Sequence, residues 1–210
     1  MLSLFERNKM MIDKIRLIEG ETAYTLMELK GNDRVHGDYF EGVLKDIKFT
    51  DSDLEYSLNY DLVFSAYWGK AEELFIKLSN LKERPIIAFD YADRYQDKKV
   101  KPLDGVVDIG FFSWDKEIED AKVFMQERLD KGMKVCICTF GAGGSMAYDG
   151  NEYYRKHAEK VKHIENTVGA GDLFIAWFLH SYLNNEPISL CLKSGAELAS
   201  KIIEQFTPIL

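Results

Sequence analysis

Short apolar runs alternate with amphipathic stretches from Asp61 onward, and this alternation restricts the fold more than any other feature of the chain. The apolar runs predict strands at residues 62–66, 85–89, 106–112 and 134–139, and the stretches between them predict helices at 69–82 and 116–130. Such strands form a mainly parallel sheet, because each helix carries the chain back across one face of the sheet. We therefore expect an α/β fold with helices on both faces.

The remaining elements follow the same logic. The helix at 69–82 has an apolar stripe at positions three or four apart: Ala71, Leu74, Leu78 and Leu81. Residues 145–148 and 152–155 predict a β-hairpin, and helices at 173–183 and 187–205 complete the chain. We predict one domain over residues 1–210.

A separate hairpin precedes the alternating pattern. Residues 21–29 and 34–40 predict two strands joined by the turn Lys30-Gly31-Asn32-Asp33. Two interpretations stay open, because spacing does not separate them. The hairpin at 21–40 either covers a site as a lid within the domain or packs on the domain edge.

Three polar or small residues stand where predicted parallel strands end. They are Asp90, Ser113 and Gly141. Ligands of open α/β sheets bind at the carboxyl ends of the strands, so this convergence predicts a cleft. Taken singly, Asp90 and Ser113 also fit ordinary helix caps or turns.

The segment Gly169-Ala170-Gly171-Asp172 leads into the last-but-one predicted helix. Small residues leave the backbone N–H groups accessible, and the first-turn N–H groups of a helix favour an anion. The Asp172 carboxylate adds a group that can take a proton from a hydroxyl. By itself the segment also fits a plain helix start after a glycine turn, but the neighbouring strand ends favour a site for a phosphoryl group.

Composition excludes several classes of protein. The net charge of −8 over 210 residues argues against a nucleic-acid partner, which needs clustered Lys and Arg. No apolar run has the length of a membrane span, and charges such as Glu6 and Arg7 interrupt the N-terminal apolar residues, so we expect no signal peptide. Three cysteines suit a reducing cytoplasm, and Cys136 and Cys138 fit buried structural positions better than a metal site.

Two motifs resemble those of a known family. Asn166-Thr167-Val168-Gly169-Ala170-Gly171-Asp172, with Phe174 and Ala176, is similar to the C-terminal signature of the ribokinase-type (PfkB) sugar kinases. Residues 139–148 resemble the strand, glycine turn and strand that lie beside the nucleotide in that family. Segments 31–35, 89–94 and 111–113 are similar to those of its fructoselysine 6-kinase subgroup. The resemblance extends from about Met11 to the end of the chain.

The resemblance implies a ribokinase-like fold, ATP and Mg²⁺ as cofactors, and a sugar or fructosamine substrate. Asp172 would be the base, and the backbone of Gly169, Ala170 and Gly171 would hold the charge of the transferred phosphate. The residues implied on the nucleotide side are Thr139, Gly141, Gly144 and Asn166. Those implied on the substrate side are Asp90, Arg94, Tyr24 and Arg34. The 21–40 hairpin would be a lid and the contact of a homodimer.

The chain also departs from the family pattern. Members usually carry a further stretch before the segment that matches Met11, so we expect an N-terminally shortened sheet with an exposed edge. Trp177 replaces a glycine, which predicts overpacking at a cost of about 1–3 kcal/mol unless the ring fills a void. Asn166 stands in place of Asp, and Lys116 in place of the Glu of an Asn-x-x-Glu element linked to Mg²⁺.

Two functions therefore stay open at this point. The first is ATP-dependent phosphorylation of a sugar hydroxyl, on a fructosamine such as fructoselysine, in the cytoplasm. The alternative is a catalytically inactive remnant or half-enzyme that keeps only the nucleotide-side surface and acts by association. It follows from the expected shortening of the sheet.

Overall fold

The structure, a computed structural model, describes residues 2–30 and 33–204, apart from the side chains of residues 27–36. It contains two units, Met1–Lys48 and Phe49–Leu210, which are treated separately below. The prediction of a single domain with the 21–40 hairpin inside it stays a prediction.

The first unit contains a short helix and the predicted hairpin. Helix α1 spans Leu2–Arg7, and strands β1 (Tyr24–Lys30) and β2 (Asp33–Phe40) pair antiparallel. β1 begins three residues later than expected, because the carbonyl of Glu21 accepts the N–H of Val43 instead of a strand partner. The predicted turn residues Gly31 and Asn32 lie outside the described residues.

A six-stranded sheet organises the second unit, in the order β3-β4-β5-β6-β7-β8. β3 (Leu62–Ala66), β4 (Ile86–Asp90), β5 (Ile109–Ser113) and β6 (Val135–Thr139) are parallel. β7 (Ser145–Tyr148) and β8 (Tyr153–Lys156) continue the sheet in antiparallel pairing, as the predicted hairpin. The expectation of a mainly parallel sheet is confirmed.

Helices cover both faces of this sheet. They are α2 (Asp51–Ser57), α3 (Glu72–Ser79), α4 (Ile118–Asp130), α5 (Ala170–Leu183) and α6 (Ile188–Ile203). Neighbouring strand residues point to opposite faces: Phe112 joins the buried cluster with α3 and α4, and Phe111 joins the one with α5 and α6. Two separate cores therefore hold the sheet from either side.

Three local predictions need correction. α3 begins at Glu72 because a 3-10 turn at Tyr67–Gly69 and a left-handed Lys70 (φ 54°) precede it. It ends at Ser79, so Leu81 lies beyond the helix and is 37% exposed, and its assignment to the apolar stripe of this helix is wrong. β5 begins at Ile109 and not at 106, because the N–H groups of Val106 and Val107 donate to Leu103 in a turn.

Helix α2 is absent from the sequence prediction, although its start carries a recognisable signal. The Thr50 backbone N–H donates to the Asp53 carboxylate at 2.6 Å, within a reciprocal capping box. Its few apolar residues made the helical periodicity too weak to detect. None of the helices within the described ranges has the length and apolar content that crossing a bilayer requires.

Candidate active site

The carboxyl ends of β4, β5 and β6 are tied together by backbone hydrogen bonds. The N–H of Ser113 donates to the carbonyl of Ala92 at 2.8 Å, and the N–H of Trp114 donates to the carbonyl of Thr139 at 2.8 Å. Ser113 and Thr139 are also register partners in the parallel pairing. The predicted residues Asp90, Ser113 and Thr139 therefore lie along one edge of the sheet.

Asp90 is the last residue of β4, and its side chain is partly buried. Its Oδ1 accepts the backbone N–H of Ala92 at 2.8 Å. Burial raises the pKa of Asp90 to about 6, the hydrogen bond from Ala92 lowers it, and the negative charge of Asp172 raises it. The structure thus brings the carboxylates of Asp90 and Asp172 within electrostatic reach of each other.

The start of α5 provides free backbone donors. Gly169 is left-handed (φ 82°) and precedes the helix, and Asp172 is its third residue, with an exposed side chain. Within the described residues, the N–H groups of Gly171 and Asp172 have no hydrogen-bond acceptor. A Cβ built on Gly171 would meet nothing within 4 Å, so the space above this turn is open. Such a helix start can hold an anion.

Asn166 shapes the loop that leads into α5. Its side chain is buried, and its Oδ1 accepts the N–H of Val168 at 3.0 Å. Its own N–H donates to the carbonyl of Ile203 at 3.2 Å. Asn166 therefore fixes the conformation of the loop through these hydrogen bonds. Its contact with a nucleotide stays a prediction.

The glycine turn between β6 and β7 is a second backbone feature beside these strand ends. Gly141–Gly143 forms a 3-10 turn, closed by the N–H of Phe140 donating to Gly144 at 2.8 Å. Gly144 has a φ of 90°, and a Cβ there would lie 2.2 Å from the carbonyl oxygen of Lys156. A side chain at Gly144 is excluded, whereas the space above Gly141 is open.

Two polar side chains beside this turn escaped the sequence prediction. The Arg155 Nη2 donates to the Gly143 carbonyl at 2.6 Å, and its guanidinium lies 4.5 Å from the ring centre of Phe140. Among the described residues, neither the buried Nη1 of Arg155 nor the buried hydroxyl of Ser145 has a partner. The sequence around Arg155 does not indicate that this side chain contacts the glycine turn. Only the pairing of the two hairpin strands brings it there.

The residues predicted on the substrate side are divided between the two units. Arg94 lies on the loop that follows Asp90, exposed, with its Nε 3.1 Å from the Asp93 Oδ1. Tyr24 belongs to the first unit, where its ring stacks on Phe40 at 4.8 Å. Arg34 is on β2, but its side chain lies outside the described residues.

Trp177 does not overpack the interior. It lies on the outer side of α5, is 41% exposed, and its ring centre is 5.6 Å from that of His180. The expected strain or filled void is absent, because the helix turns this position away from the core.

The site offers few ligands for a resident metal. Among the side chains that the structure describes, no group of three or more His, Cys, Asp or Glu is placed to hold an ion. Two interacting carboxylates, Asp90 and Asp172, fit a Mg²⁺ ion that arrives with nucleotide phosphates and takes most of its oxygen ligands from them and from water.

We expect the Asp90→Asn variant to be more stable than the wild type at pH 8, by about 2–3 kcal/mol. The folded-state pKa of Asp90, about 6, lies above its ordinary value of 3.8. Ionisation of the Asp90 carboxylate therefore lowers the free energy of unfolding as pH rises through 6. The Asn side chain of the variant does not ionise, and its amide oxygen can still accept the Ala92 N–H. The gain should shrink towards pH 4 in urea titrations. Asp93→Asn, an exposed change on the same loop, is the control; an equal gain there would contradict the assignment.

Comparison with solved structures identifies the fold. The chain superimposes on the ribokinase of Arabidopsis thaliana, solved with ribose and ATP, with a TM-score of 0.76 and 17% identity over 91% of this chain and 66% of that one. The fold defines a ribokinase-like α/β protein, and the start of α5 offers free backbone N–H groups close to its strand ends.

Sequence comparison then identifies the family. The pfkB family carbohydrate kinase profile matches residues 108–210. The chain is 35% identical to the fructoselysine 6-kinase of Escherichia coli (strain K12) over 193 residues, which are 92% of this chain and 73% of the relative. It is 24% identical to a fructosamine kinase of Bacillus subtilis (strain 168), covering 96% of this chain and 71% of the relative. The chain belongs to the pfkB family of carbohydrate kinases, whose members are ATP-dependent.

Proposed function

We propose that this protein transfers the γ-phosphoryl group of ATP to a hydroxyl of a fructosamine such as fructoselysine, giving the 6-phosphate. The observation that carries the proposal is the start of α5, where two free backbone N–H groups adjoin the carboxylate of Asp172, itself coupled to Asp90. The similarity to fructoselysine 6-kinase supports the substrate class.

In the proposed reaction, the Asp172 carboxylate takes the proton of the sugar hydroxyl while the hydroxyl oxygen attacks the γ-phosphorus. The bond from that phosphorus to the β,γ-bridging oxygen breaks, and ADP leaves. Gly169, Ala170 and Gly171 remain the proposed backbone cradle for the negative charge of the transferring group, and the free N–H of Gly171 is a donor already in place. The N–H of Ala170 donates to the Thr167 carbonyl at 3.3 Å and would have to leave it to reach the phosphate. A donor that is already in place stabilises the charge of the transferring phosphoryl group without any rearrangement of the protein.

The nucleotide would lie beside the glycine turn. Thr139, Gly141, Gly144 and Asn166 remain the proposed contacts, and the open space above Gly141 lets a ligand approach the backbone closely. Arg155 adds a cation next to that turn, and its buried Nη1 has no hydrogen-bond partner among the described residues. Mg²⁺ bound to the phosphates would reduce their charge repulsion with Asp90 and Asp172.

The sugar would approach Asp90 and Arg94 from the open side of the strand ends. A fructosamine carries an ammonium group next to the sugar, and two neighbouring carboxylates attract such a cation. Tyr24 and Arg34, from the first unit, remain proposed lid contacts, and the same hairpin remains the proposed homodimer contact. The cytoplasm is the proposed location, since Cys136, Cys138 and Cys191 are free thiols.

The proposal is tested by ADP release from the purified chain with ATP, Mg²⁺ and fructoselysine, beside fructose and ribose. We expect fructoselysine to give kcat/KM at least about tenfold above either sugar, because each lost charged contact weakens binding by that order. Equal rates with all three would contradict the fructosamine assignment but not sugar phosphorylation. No release from folded protein would contradict both.

One observation favours the alternative, an inactive chain that acts by association. Within the described residues β3 is at the end of the sheet and pairs only with β4, and Phe64 on it is 44% exposed. An uncovered edge and an apolar side chain favour contact with another polypeptide. This alternative predicts ATP binding by calorimetry without sugar-dependent ADP release.

A further inference from the structure

A cleft of about 580 Å³ opens between the segment 91–104 and the second half of α4. Its volume is that of a small-molecule site. The buried residues around it belong to the core on the α3 and α4 side of the sheet, whereas Asp172 belongs to α5 on the other side. The cleft is therefore separate from the candidate active site.

One wall of the cleft is aromatic and held rigidly. Tyr95 and Phe124 lie with ring centres 5.0 Å apart, and Tyr95 also stacks on Trp114 at 5.3 Å. Deeper in, Tyr91 stacks nearly parallel on Phe112, at 4.5 Å and 9°. Because these rings are fixed by the core behind them, the wall is ready to receive a flat apolar group at little cost in conformational entropy.

Three polar groups of the cleft are donors without acceptors among the described residues. Arg128 lies over Phe124 at 5.0 Å and donates through Nη1 to Asp104 at 2.9 Å, but its buried Nε has no partner in the described part of the chain. The Tyr91 hydroxyl also lacks a hydrogen bond there, and burial raises its pKa, so it stays protonated. Lys101 forms no ion pair with any described residue.

The acceptors of the cleft do not balance these donors. The Asp104 carboxylate already binds both Arg128 and Lys131, the latter at 2.8 Å. Glu127 is the other carboxylate of the lining and is exposed. Three cations against two carboxylates make a locally positive site on a chain whose net charge is −8. A ligand that brings acceptor oxygens would satisfy the free donors.

The geometry points to a binding site for a planar ring that carries a carboxylate or a phosphate, with the ring against Tyr95 and Phe124 and the anionic group towards Lys101 and Arg128. This inference does not depend on the proposed kinase reaction. Tyr91 directly follows Asp90 in the chain, so an occupant contacts the neighbour of a candidate active-site residue.

The test is a calorimetric titration of the whole chain with indole-3-carboxylate, with phenyl phosphate as the phosphate probe and indole and acetate as half-probes. We expect at least one of the two ring anions to bind about tenfold more tightly than indole or acetate, because ring and anion are engaged together. Which of the two binds better separates the carboxylate from the phosphate source.

Matched variants locate the binding. Lys101→Glu should weaken it about tenfold or more, whereas Lys98→Glu, the same charge change in the same 3-10 segment (Lys98–Leu103) but outside the lining, should stay within about twofold. Both positions are exposed, so circular dichroism should show unchanged folding. Two results would overturn the inference: no saturable binding of either ring anion to the wild-type chain, or equal losses of affinity in the two variants.

Discussion

Asp172→Asn is expected to lower the kcat of sugar-dependent ADP release by about 100- to 10,000-fold, the range of general-base catalysis. Asn keeps the size of the side chain but cannot take the hydroxyl proton. The side chain is exposed at the third position of α5, so the change should leave folding intact. The affinity for ATP should change little, because the backbone donors of the helix start remain.

The measurement is steady-state ADP release together with calorimetric ATP binding. Asp130→Asn, an exposed change at the end of α4, is the matched control and should keep wild-type turnover. A variant of Asp172 that retained half of the wild-type kcat would show that another group accepts the proton. Loss of ATP binding together with turnover would assign Asp172 to nucleotide binding instead.

The second large effect is on stability: Asp108→Ala should lower the free energy of unfolding by about 3–5 kcal/mol. Asp108 is 3% exposed at the entry to β5. Its carboxylate accepts the N–H of Ile87 at 2.9 Å and the Arg84 Nη2 at 3.1 Å, and it lies 2.9 Å from the Lys134 Nζ. Removing it leaves a half-buried guanidinium and a buried N–H without an acceptor.

The same network gives this loss a pH dependence. Burial raises the pKa of Asp108, but the hydrogen bonds from Arg84, Ile87 and Lys134 outweigh it and hold the pKa below its ordinary value. The stabilisation is present above the unfolded pKa and disappears as pH falls through the folded one. The difference between variant and wild type should therefore narrow on acidification below pH 4.

Urea unfolding at pH 7 measures the effect. Asp51→Asn is the control, since its ion pair with Lys77 is largely exposed on both partners and should contribute less than about 1 kcal/mol. A loss at Asp108 no larger than that of the control would mean that its network contributes no more than a surface pair.

Much of the second unit was predictable from local patterns. The β3 bounds agree with the prediction, and the other parallel strands and the 145–156 hairpin agree apart from shifts at their ends. The misses have local physical causes. β5 begins later in the chain than predicted because the N–H groups before it donate to Leu103 in a turn, and α3 begins later because Lys70 is left-handed. Apolar residues at both places had indicated regular structure.

Single segments of the candidate site could be predicted from the sequence, but the contacts between residues of different segments could not. The Gly169–Asp172 segment predicts a helix start with an accessible backbone and a carboxylate, and α5 does begin there. Its binding of an anion stays a prediction. The electrostatic interaction between Asp90 and Asp172 joins residues that are distant in sequence. The hydrogen bond from Arg155 to Gly143 depends on the pairing of β7 with β8. No local pattern encodes such distances.

The sequence by itself determined the succession of strands and helices from β3 onward, the parallel character of the sheet and the family, because periodicity and motif spacing are properties of neighbouring residues. Only the tertiary structure decided that Trp177 faces outward, that Asp108 anchors three strand starts, and that free donors meet an aromatic wall beside α4. These features depend on side chains that meet only after the chain has closed around two cores, where burial and charge change the energy of each group.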